Sequence, residues 1–304
     1  MIRGLLGIEE LDRAEIEAIL ARAKDFQPLQ NQGHSFQKLD TLRGKFIVNL
    51  FFEASTRTRT SFEIAAKRLG ADAVSITASG SSVSKGESLV DTVNTLAAMR
   101  PDAIVMRHSA SGAPHSLARH LSIPIINAGD GTHEHPTQAL LDARTIIDRR
   151  EKLEGLRVAI IGDIAHSRVA RSNVLLLSKF GVDIVLCGPA SLLPAELAQI
   201  APGVTLTNDI RTAIRNADVI MMLRVQLERQ HEAAFPASEY FQFYGLQLEH
   251  MDLAKPDAIV MHPGPINRGR ELSSEVADFQ RSVILNQVEN GIAVRMAVLE
   301  RIIG

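Results

Sequence analysis

The chain has 304 residues, a formal net charge of -2 and 45% hydrophobic residues, a composition typical of a globular protein large enough for two domains. The near-neutral charge excludes a general polycation for nucleic acid, and an aromatic content of 4% disfavours a base-stacking surface. No apolar stretch approaches the roughly 20 residues that span a bilayer. Acidic Glu9 and Glu10 also argue against a signal peptide, so we expect a cytoplasmic chain without membrane contact.

The first half of the chain alternates predicted helices with short apolar strands, beginning with an amphipathic helix through Leu11, Ile16 and Leu20. A stretch rich in Ser and Gly, 78–86, predicts a loop, and Lys85 at its end makes that loop a candidate mobile lid that carries a cation. The predicted strands are 46–51, 73–76, 103–106 and 123–126, and the later predicted helices are 87–99 and 136–149.

The most informative segment, 51–62, joins a predicted buried strand to a predicted helix that ends at Gly70. It places hydroxyl groups and two arginines, Arg57 and Arg59, at a helix start. Unpaired backbone N–H groups and the positive end of the helix dipole meet there, and arginine offers a planar fork that matches phosphate oxygens. The segment therefore predicts a phosphate site.

A charged stretch, 148–154, precedes a second series of strands and helices and predicts a domain junction. Because short apolar strands alternate with helices in both halves, we predict an α/β fold with two domains, each a parallel sheet flanked by helices. The last helix, 284–303, is expected to pack back on the first domain. The predicted domains are 1–148 together with 285–304, and 149–284. The strands of the second half are 157–161, 183–187, 218–222 and 258–261.

Polar and cationic residues follow the predicted strands, where open parallel sheets bind their ligands. An arginine after a strand is more often a surface residue than a ligand, but the repetition in a slightly acidic protein indicates a substrate with several negative charges. The residues are Ser55 to Arg59, Ser81, Lys85, Arg107, His108, His135, Gln138, Arg168, Arg224, Gln226 and His262.

Several other kinds of site are disfavoured. His133-Glu134-His135 has no third ligand at a standard spacing, so we expect no metal site. Gly162-Asp163 follows a strand without G-x-G-x-x-G, and neither a Walker motif nor a G-x-S-x-G elbow occurs. The single cysteine, Cys187, lies in an apolar run, which predicts a buried structural thiol. We therefore expect no cofactor.

These residues resemble the aspartate/ornithine carbamoyltransferase family over essentially the whole chain. The Ser-Thr-Arg-Thr-Arg segment at 55–59 is typical of the family. The Lys85 loop, the Arg224 segment and His262-Pro263-Gly264-Pro265 resemble its aspartate branch, since the ornithine branch has His-Cys-Leu-Pro at the last position. Together with these, the full set of matching stretches is 52–59, 85–88, 104–108, 127–131, 135–138, 162–168, 224–228 and 262–269.

The resemblance implies transfer of the carbamoyl group of carbamoyl phosphate to the amine of L-aspartate, an early step of pyrimidine synthesis. It implies that Ser55, Thr56, Arg57, Thr58 and Arg107 hold the phosphate. A second set of residues would bind the carbamoyl group, and a third set would bind the aspartate carboxylates. The carbamoyl ligands would be Thr58, Arg107, His135, Gln138 and the carbonyls of Pro263 and Gly264; the aspartate ligands would be Lys85, Arg168, Arg224 and Gln226.

The resemblance further implies a homotrimer in which Ser81 and Lys85 come from a neighbouring subunit. Regulatory chains or a dihydroorotase-like chain are possible partners in the family. Two alternatives stay open at this point: a carbamoyltransferase with another acceptor such as ornithine, and a non-catalytic anion-binding protein. Arg168 and Arg224 favour a dicarboxylate acceptor over ornithine, and the second domain with its own arginine pair disfavours simple anion binding.

Overall fold

The computed structural model describes residues 4–30, 38–77, 88–225 and 237–304. The chain divides into two compact units. Unit 1 comprises Met1–Arg144 and Glu289–Gly304, and unit 2 comprises Thr145–Val288. The predicted assignment of 1–148 with 285–304 and of 149–284 to separate substrates stays a prediction.

Unit 1 is built on a sheet of five described strands, all parallel, in the order β1-β5-β4-β2-β3. The central strands are apolar and buried on both faces, as expected for a parallel sheet covered by helices. Gly4 in β1 has a φ of +137°, and a Cβ atom there would lie 2.1 Å from the Ile125 carbonyl oxygen, so glycine permits this strand to pair closely. The strands are β1 (Gly4–Leu5), β2 (Phe46–Phe51), β3 (Asp72–Thr77), β4 (Ala103–His108) and β5 (Ile125–Asp130).

The helices of unit 1 pack an apolar face on this sheet. In α2, Phe62, Ala65 and Ala66 recur on one side and are at most 1% exposed. The described helices with residues in unit 1 are α1 (Arg13–Gln30), α2 (Thr56–Arg68), α3 (Leu89–Ala98), α4 (Ala113–Ala118), α5 (Pro136–Arg150) and the C-terminal helix at Ile284–Ile303.

The C-terminal helix contacts α1, which confirms the prediction that it packs back on the first domain. Arg22 donates to both carboxylate oxygens of Glu300, at 2.5 and 2.9 Å, and Gln27 donates to Asn290 at 2.7 Å. The C-terminal helix is therefore part of unit 1, although it lies at the opposite end of the sequence from α1.

Unit 2 repeats the plan with a second parallel sheet of five described strands, in the order β10-β9-β6-β7-β8. Its strands are β6 (Arg157–Ile161), β7 (Asp183–Cys187), β8 (Val204–Thr207), β9 (Val219–Met222) and β10 (Ile259–Met261). Its helices are α6 (Arg168–Ser178), α7 (Ile210–Ile214), α8 (Ala237–Tyr244), α9 (Ser274–Ala277) and the first residues of α10 (Ile284–Ile303), with 3-10 turns at Ala190–Leu192, Ala195–Gln199 and Leu248–Asp252.

The predicted α/β class and the two parallel sheets are confirmed. Cys187 is fully buried, as predicted, and burial raises the pKa of its thiol to about 12, so the group is inert at neutral pH. No described helix has the length and apolarity of a membrane span.

Two predicted strand ends were wrong by more than one residue, that of β4, which continues past Met106 to His108, and that of β5. The strand expected to stop at Ile126 continues to Asp130 because its polar residues are paired inside the sheet. The Asn127 side chain donates to the Leu6 carbonyl and to Asp130, both at 2.8 Å, so both polar residues are fully buried without an unmet partner.

Candidate active site

The phosphate segment lies where β2 passes into α2. Ser55 is the N-cap residue of α2, with extended backbone, and its side chain makes no capping hydrogen bond. Thr56 and Arg57 in the first turn are exposed, whereas Thr58 is only 8% exposed. Because the first N–H groups of a helix have no partner within it, this turn presents donors and a cation to solvent. The arrangement suits a bound phosphate.

Arg107 lies beside this segment because β4 pairs with β2. Phe51 and Arg107 are register partners, and the Phe52 N–H donates to the Arg107 carbonyl at 2.9 Å. The guanidinium donates to Glu53 Oε1 at 2.5 Å and to the Ala128 carbonyl at 3.3 Å. Three adjacent strand ends therefore fix this cation at the carboxyl edge of the sheet.

His135 directly precedes α5, and Gln138 lies in the first turn of that helix, shortly after β5. The His135 carbonyl accepts from the Gln138 N–H at 2.9 Å, and both side chains are buried. The Gln138 amide Nε2 donates to Asp142 Oδ1 at 2.9 Å. With Nε2 held in this way, Oε1 is the atom of Gln138 that can accept a hydrogen bond from a ligand amine.

Asp142 and Glu53 were missed from the sequence, although each holds a predicted site residue. Asp142 is fully buried, and Arg295 of the C-terminal helix interacts electrostatically with it. Burial lowers the pKa of Arg295 to about 10, against the opposing effect of Asp142. The sequence could have indicated the role of Asp142, because it lies four residues after Gln138, on the same face of the predicted helix.

In unit 2, Arg168 is the first residue of α6 and is 6% exposed. Its helix start is well fixed, because the Ser167 hydroxyl accepts from the Ala170 N–H at 3.1 Å. Just before it, fully buried Asp163 lies 2.8 Å from His166 Nδ1. The loop that leaves β6 thus holds Arg168 at a fixed position.

Arg224 follows β9, the neighbour of β6, and is held by the residues on either side of it. The Leu223 N–H donates to the Ile161 carbonyl at 2.8 Å, and the Val225 N–H donates to Glu271 Oε1 at 3.3 Å. Glu271 is fully buried, and burial raises the pKa of its carboxyl group. Glu271, which the sequence analysis missed, therefore anchors the segment that carries Arg224.

Gly162, directly after β6, makes the approach of these two segments possible. Its φ is +146°, and an added Cβ atom would lie 2.8 Å from Leu223 Cβ and 2.9 Å from the Leu223 carbonyl oxygen. We expect Gly162→Ala to cost about 3 kcal/mol in stability through backbone strain and overpacking. Gly181→Ala is the matched control, because that glycine also has a positive φ but faces open space; it should cost about 1 kcal/mol. Thermal unfolding measures both, and equal losses would contradict the steric explanation.

A tight turn follows β10 at His262, which is 1% exposed. Its N–H donates to Gln287 Oε1 at 2.9 Å, and its Nδ1 accepts from the Gly264 N–H at 2.8 Å. The Gly264–Pro265 peptide bond is cis. These bonds hold the turn that carries the half-buried Pro263 and Gly264.

The predicted residues fall into one group in each unit, at the carboxyl edge of each sheet. In unit 1 they follow the adjacent strands β2, β4 and β5, and in unit 2 they follow the adjacent strands β6, β9 and β10. Three predicted residues, Ser81, Lys85 and Gln226, lie outside the described residues. The unit 1 group is Ser55, Thr56, Arg57, Thr58, Arg107, His135 and Gln138; the unit 2 group is Arg168, Arg224, Pro263 and Gly264.

Comparisons with known proteins match the two groups of residues to two different domain models of one family. Residues 3–148 match the model of the carbamoyl-P binding domain of aspartate/ornithine carbamoyltransferase, and residues 154–302 match that of its Asp/Orn binding domain. The aspartate carbamoyltransferase catalytic subunit of Solibacter usitatus (strain Ellin6076) is 87% identical over 304 residues, which is all of both chains.

Solved structures show the same fold. Aspartate transcarbamoylase from Trypanosoma cruzi, in complex with carbamoyl aspartate and phosphate, has a TM-score of 0.88 at 33% identity, covering 99% of this chain and 96% of that one. Ornithine carbamoyltransferase from Pyrococcus furiosus also has a TM-score of 0.88, at 32% identity, covering 98% and 96%. Aspartate and ornithine carbamoyltransferases therefore share this fold, so the fold by itself does not distinguish the two branches of the family. The two matched domains and the full-length relative show that the chain belongs to the aspartate/ornithine carbamoyltransferase family.

Proposed function

We propose that the chain transfers the carbamoyl group of carbamoyl phosphate to the amine of L-aspartate, giving N-carbamoyl-L-aspartate and phosphate for pyrimidine synthesis. The observation that carries this proposal is the 87% identity, over the full length, with a curated aspartate carbamoyltransferase catalytic subunit. This identity assigns the chain to the aspartate branch rather than the ornithine branch, a distinction that the fold does not make.

The phosphate group of the donor is held by the first turn of α2. Ser55, Thr56, Arg57 and Thr58 supply hydroxyl and backbone N–H donors there, and Arg107 adds a second guanidinium at the next strand end. Because the Arg107 guanidinium is already fixed by Glu53 and Ala128, it reorganises little when the phosphate binds. This group therefore stabilises the negative charge that grows on the departing phosphate.

The carbamoyl oxygen accepts from Thr58, Arg107 and His135 as the aspartate amine attacks the carbamoyl carbon. Negative charge develops on that oxygen in the tetrahedral intermediate, and fixed donors lower its energy without a covalent enzyme intermediate. Loss of one such donor typically costs about 3 kcal/mol, or roughly a hundredfold in rate. The carbamoyl nitrogen donates one N–H to Gln138 Oε1, which Asp142 orients, and the carbonyls of Pro263 and Gly264 share the other.

The departing phosphate can take the proton that the attacking amine loses, so no separate general base is required. This route needs neither a metal nor a cofactor.

Arg168 and Arg224 bind the two carboxylates of aspartate, together with Gln226 and Lys85. A guanidinium holds a carboxylate with two parallel hydrogen bonds, which an ammonium group does not provide. Domain 149–284 is therefore the aspartate-binding domain, and domain 1–148 with 285–304 binds carbamoyl phosphate.

Exchange of Arg224 for lysine tests whether the guanidinium group holds a carboxylate with two parallel hydrogen bonds. We expect Arg224→Lys to raise the KM for aspartate about tenfold or more, because one of two parallel hydrogen bonds is lost while the charge stays. The affinity for carbamoyl phosphate should stay unchanged. Arg211→Lys, at an exposed position of α7, is the control and should leave both parameters at their wild-type values. An unchanged KM for aspartate in Arg224→Lys would reject the bidentate contact.

We also propose a cytoplasmic homotrimer in which Ser81 and Lys85 complete the site of a neighbouring subunit. Regulatory chains or a dihydroorotase-like chain are its candidate further partners. The family resemblance supports this assembly, and the mass of the native complex tests it.

The activity itself is tested by phosphate release from carbamoyl phosphate. Release should require L-aspartate and saturate with it, and N-carbamoyl-L-aspartate should form in equal amount. Binding of carbamoyl phosphate without aspartate-dependent release would instead indicate a non-catalytic anion-binding protein.

A further inference from the structure

Two histidines and a buried aspartate meet at the start of α4, apart from the residues that bind substrate in the proposed function. His115 lies in α4, Asp130 ends β5, and His133 lies in the turn that follows. One potential ligand atom from each residue lies within 4.8 Å of the others. The two imidazole rings meet edge to face, with centroids 5.3 Å apart.

The expectation of no metal rested on the adjacent His133-Glu134-His135, which lacks a third ligand at a standard spacing. The fold brings His133 together with a different pair, from positions 115 and 130. Sequence spacing does not reveal this set, because a strand end, a short helix and a turn contribute one residue each.

The two ring nitrogens of His115 are arranged as in a metal-binding histidine. Its Nε2 lies 3.1 Å from Glu10 Oε1, a contact that favours the tautomer with the proton on Nε2. Its other nitrogen, Nδ1, is buried and has no hydrogen-bond partner among the described residues. A carboxylate on one imidazole nitrogen with a lone pair on the other is the pattern by which proteins orient histidine toward a metal.

Asp130 and His133 supply the other two ligand atoms at a suitable separation. Asp130 Oδ2 lies 3.1 Å from His133 Nδ1. Two ligands of one tetrahedral Zn²⁺ lie about 3.3 Å apart at ordinary bond lengths. Asp130 Oδ2 also accepts from the Gly112 N–H at 2.7 Å, and Oδ1 accepts from Asn127 and Glu134, so the carboxylate is held rigidly. One lone pair remains on Oδ2, on the side of His133 Nδ1, and this is the one that an ion would take.

The surroundings allow an ion to enter and to be held. The Asp130 side chain is fully buried, whereas those of His115 and His133 are 26% and 28% exposed. An ion arriving from solvent would therefore meet the imidazoles first and neutralise a buried carboxylate. Two imidazoles and one carboxylate suit Zn²⁺ and neighbouring transition metals rather than Mg²⁺, which prefers oxygen ligands and keeps its water.

We propose that His115, Asp130 and His133 form a binding site for one divalent transition-metal ion, with Glu10 orienting His115 and water completing the coordination. Because the site ties α4 to the turn after β5, a bound ion stabilises this end of unit 1. The proposal does not depend on the carbamoyl transfer reaction.

Cobalt titration tests it on the full-length protein. Co²⁺ should bind saturably at one ion per chain and give the visible absorption of a tetrahedral site, and Zn²⁺ should displace it while millimolar Mg²⁺ should not. His115→Asn and His133→Asn should each weaken Co²⁺ binding by about tenfold or more, and Glu10→Gln by about tenfold. His120→Asn, at an exposed position close by in the chain, is the matched control and should bind as the wild type does.

Circular dichroism establishes that each variant is folded, and the two histidine variants provide independent tests. The site is rejected if the wild-type protein shows no saturable stoichiometric Co²⁺ binding. It is also rejected if folded His115→Asn or His133→Asn binds Co²⁺ as tightly as His120→Asn does.

Discussion

Arg57→Ala is expected to lower turnover by about a hundredfold or more while leaving the fold intact. The side chain is exposed in the first turn of α2, so its removal leaves no cavity in the core. It carries one of the two guanidinium groups that we assign to the phosphate. Loss of a preorganised donor at the leaving group costs about 3 kcal/mol or more in the transition state. Steady-state kinetics at saturating aspartate measures the effect.

Lys67→Ala is the matched control for this variant, because Lys67 is an exposed cation in the last turn of the same helix. Its kcat and its melting temperature should equal those of the wild type. A near-normal rate for Arg57→Ala would remove the phosphate role from this residue, and with it the main function assigned to the segment.

Mixing two inactive variants is expected to restore activity. If each site uses Arg57 of one subunit and Lys85 of its neighbour, a subunit with Arg57→Ala still supplies Lys85, and a subunit with Lys85→Ala still supplies Arg57. In a randomly reassembled trimer, each of the two requirements is met half of the time. About a quarter of the wild-type activity should therefore return after equimolar mixing.

Native mass spectrometry of mass-labelled subunits establishes that exchange has taken place. Mixing wild-type protein with Arg57→Ala protein under the same conditions controls for losses during exchange. Hybrid trimers without activity would contradict the shared site, even if both single variants behave as expected.

The parallel sheets and the strand-end residues were predictable because each depends on a short local pattern. Apolar runs such as 46–51 and 157–161 are buried on both faces, and the residue after such a run lies at the ligand edge of a parallel sheet. The pattern of hydroxyl groups and arginines at 55–59 likewise indicates the start of α2.

Features that depend on tertiary contacts were not predictable in this way. Strand β1 has two residues, too few for a periodic pattern, and β8 is only partly buried, with Thr205 exposed. The strand end at 126 was placed too early because Asn127 and Asp130 look like turn residues until their buried hydrogen bonds are known. Glu53 and Glu271 escaped notice for the same reason, since their partners Arg107 and Val225 are 54 and 46 residues away.

A competition between acceptors tests the central claim most directly, namely that this chain carbamoylates aspartate and selects it by its two carboxylates. Purified protein receives carbamoyl phosphate with equal concentrations of L-aspartate and L-ornithine, and mass spectrometry identifies the products. We expect N-carbamoyl-L-aspartate alone, since Arg168 and Arg224 offer two cations to a dicarboxylate and would repel the distal ammonium group of ornithine. Carbamoylated ornithine in equal or greater amount would contradict the assignment.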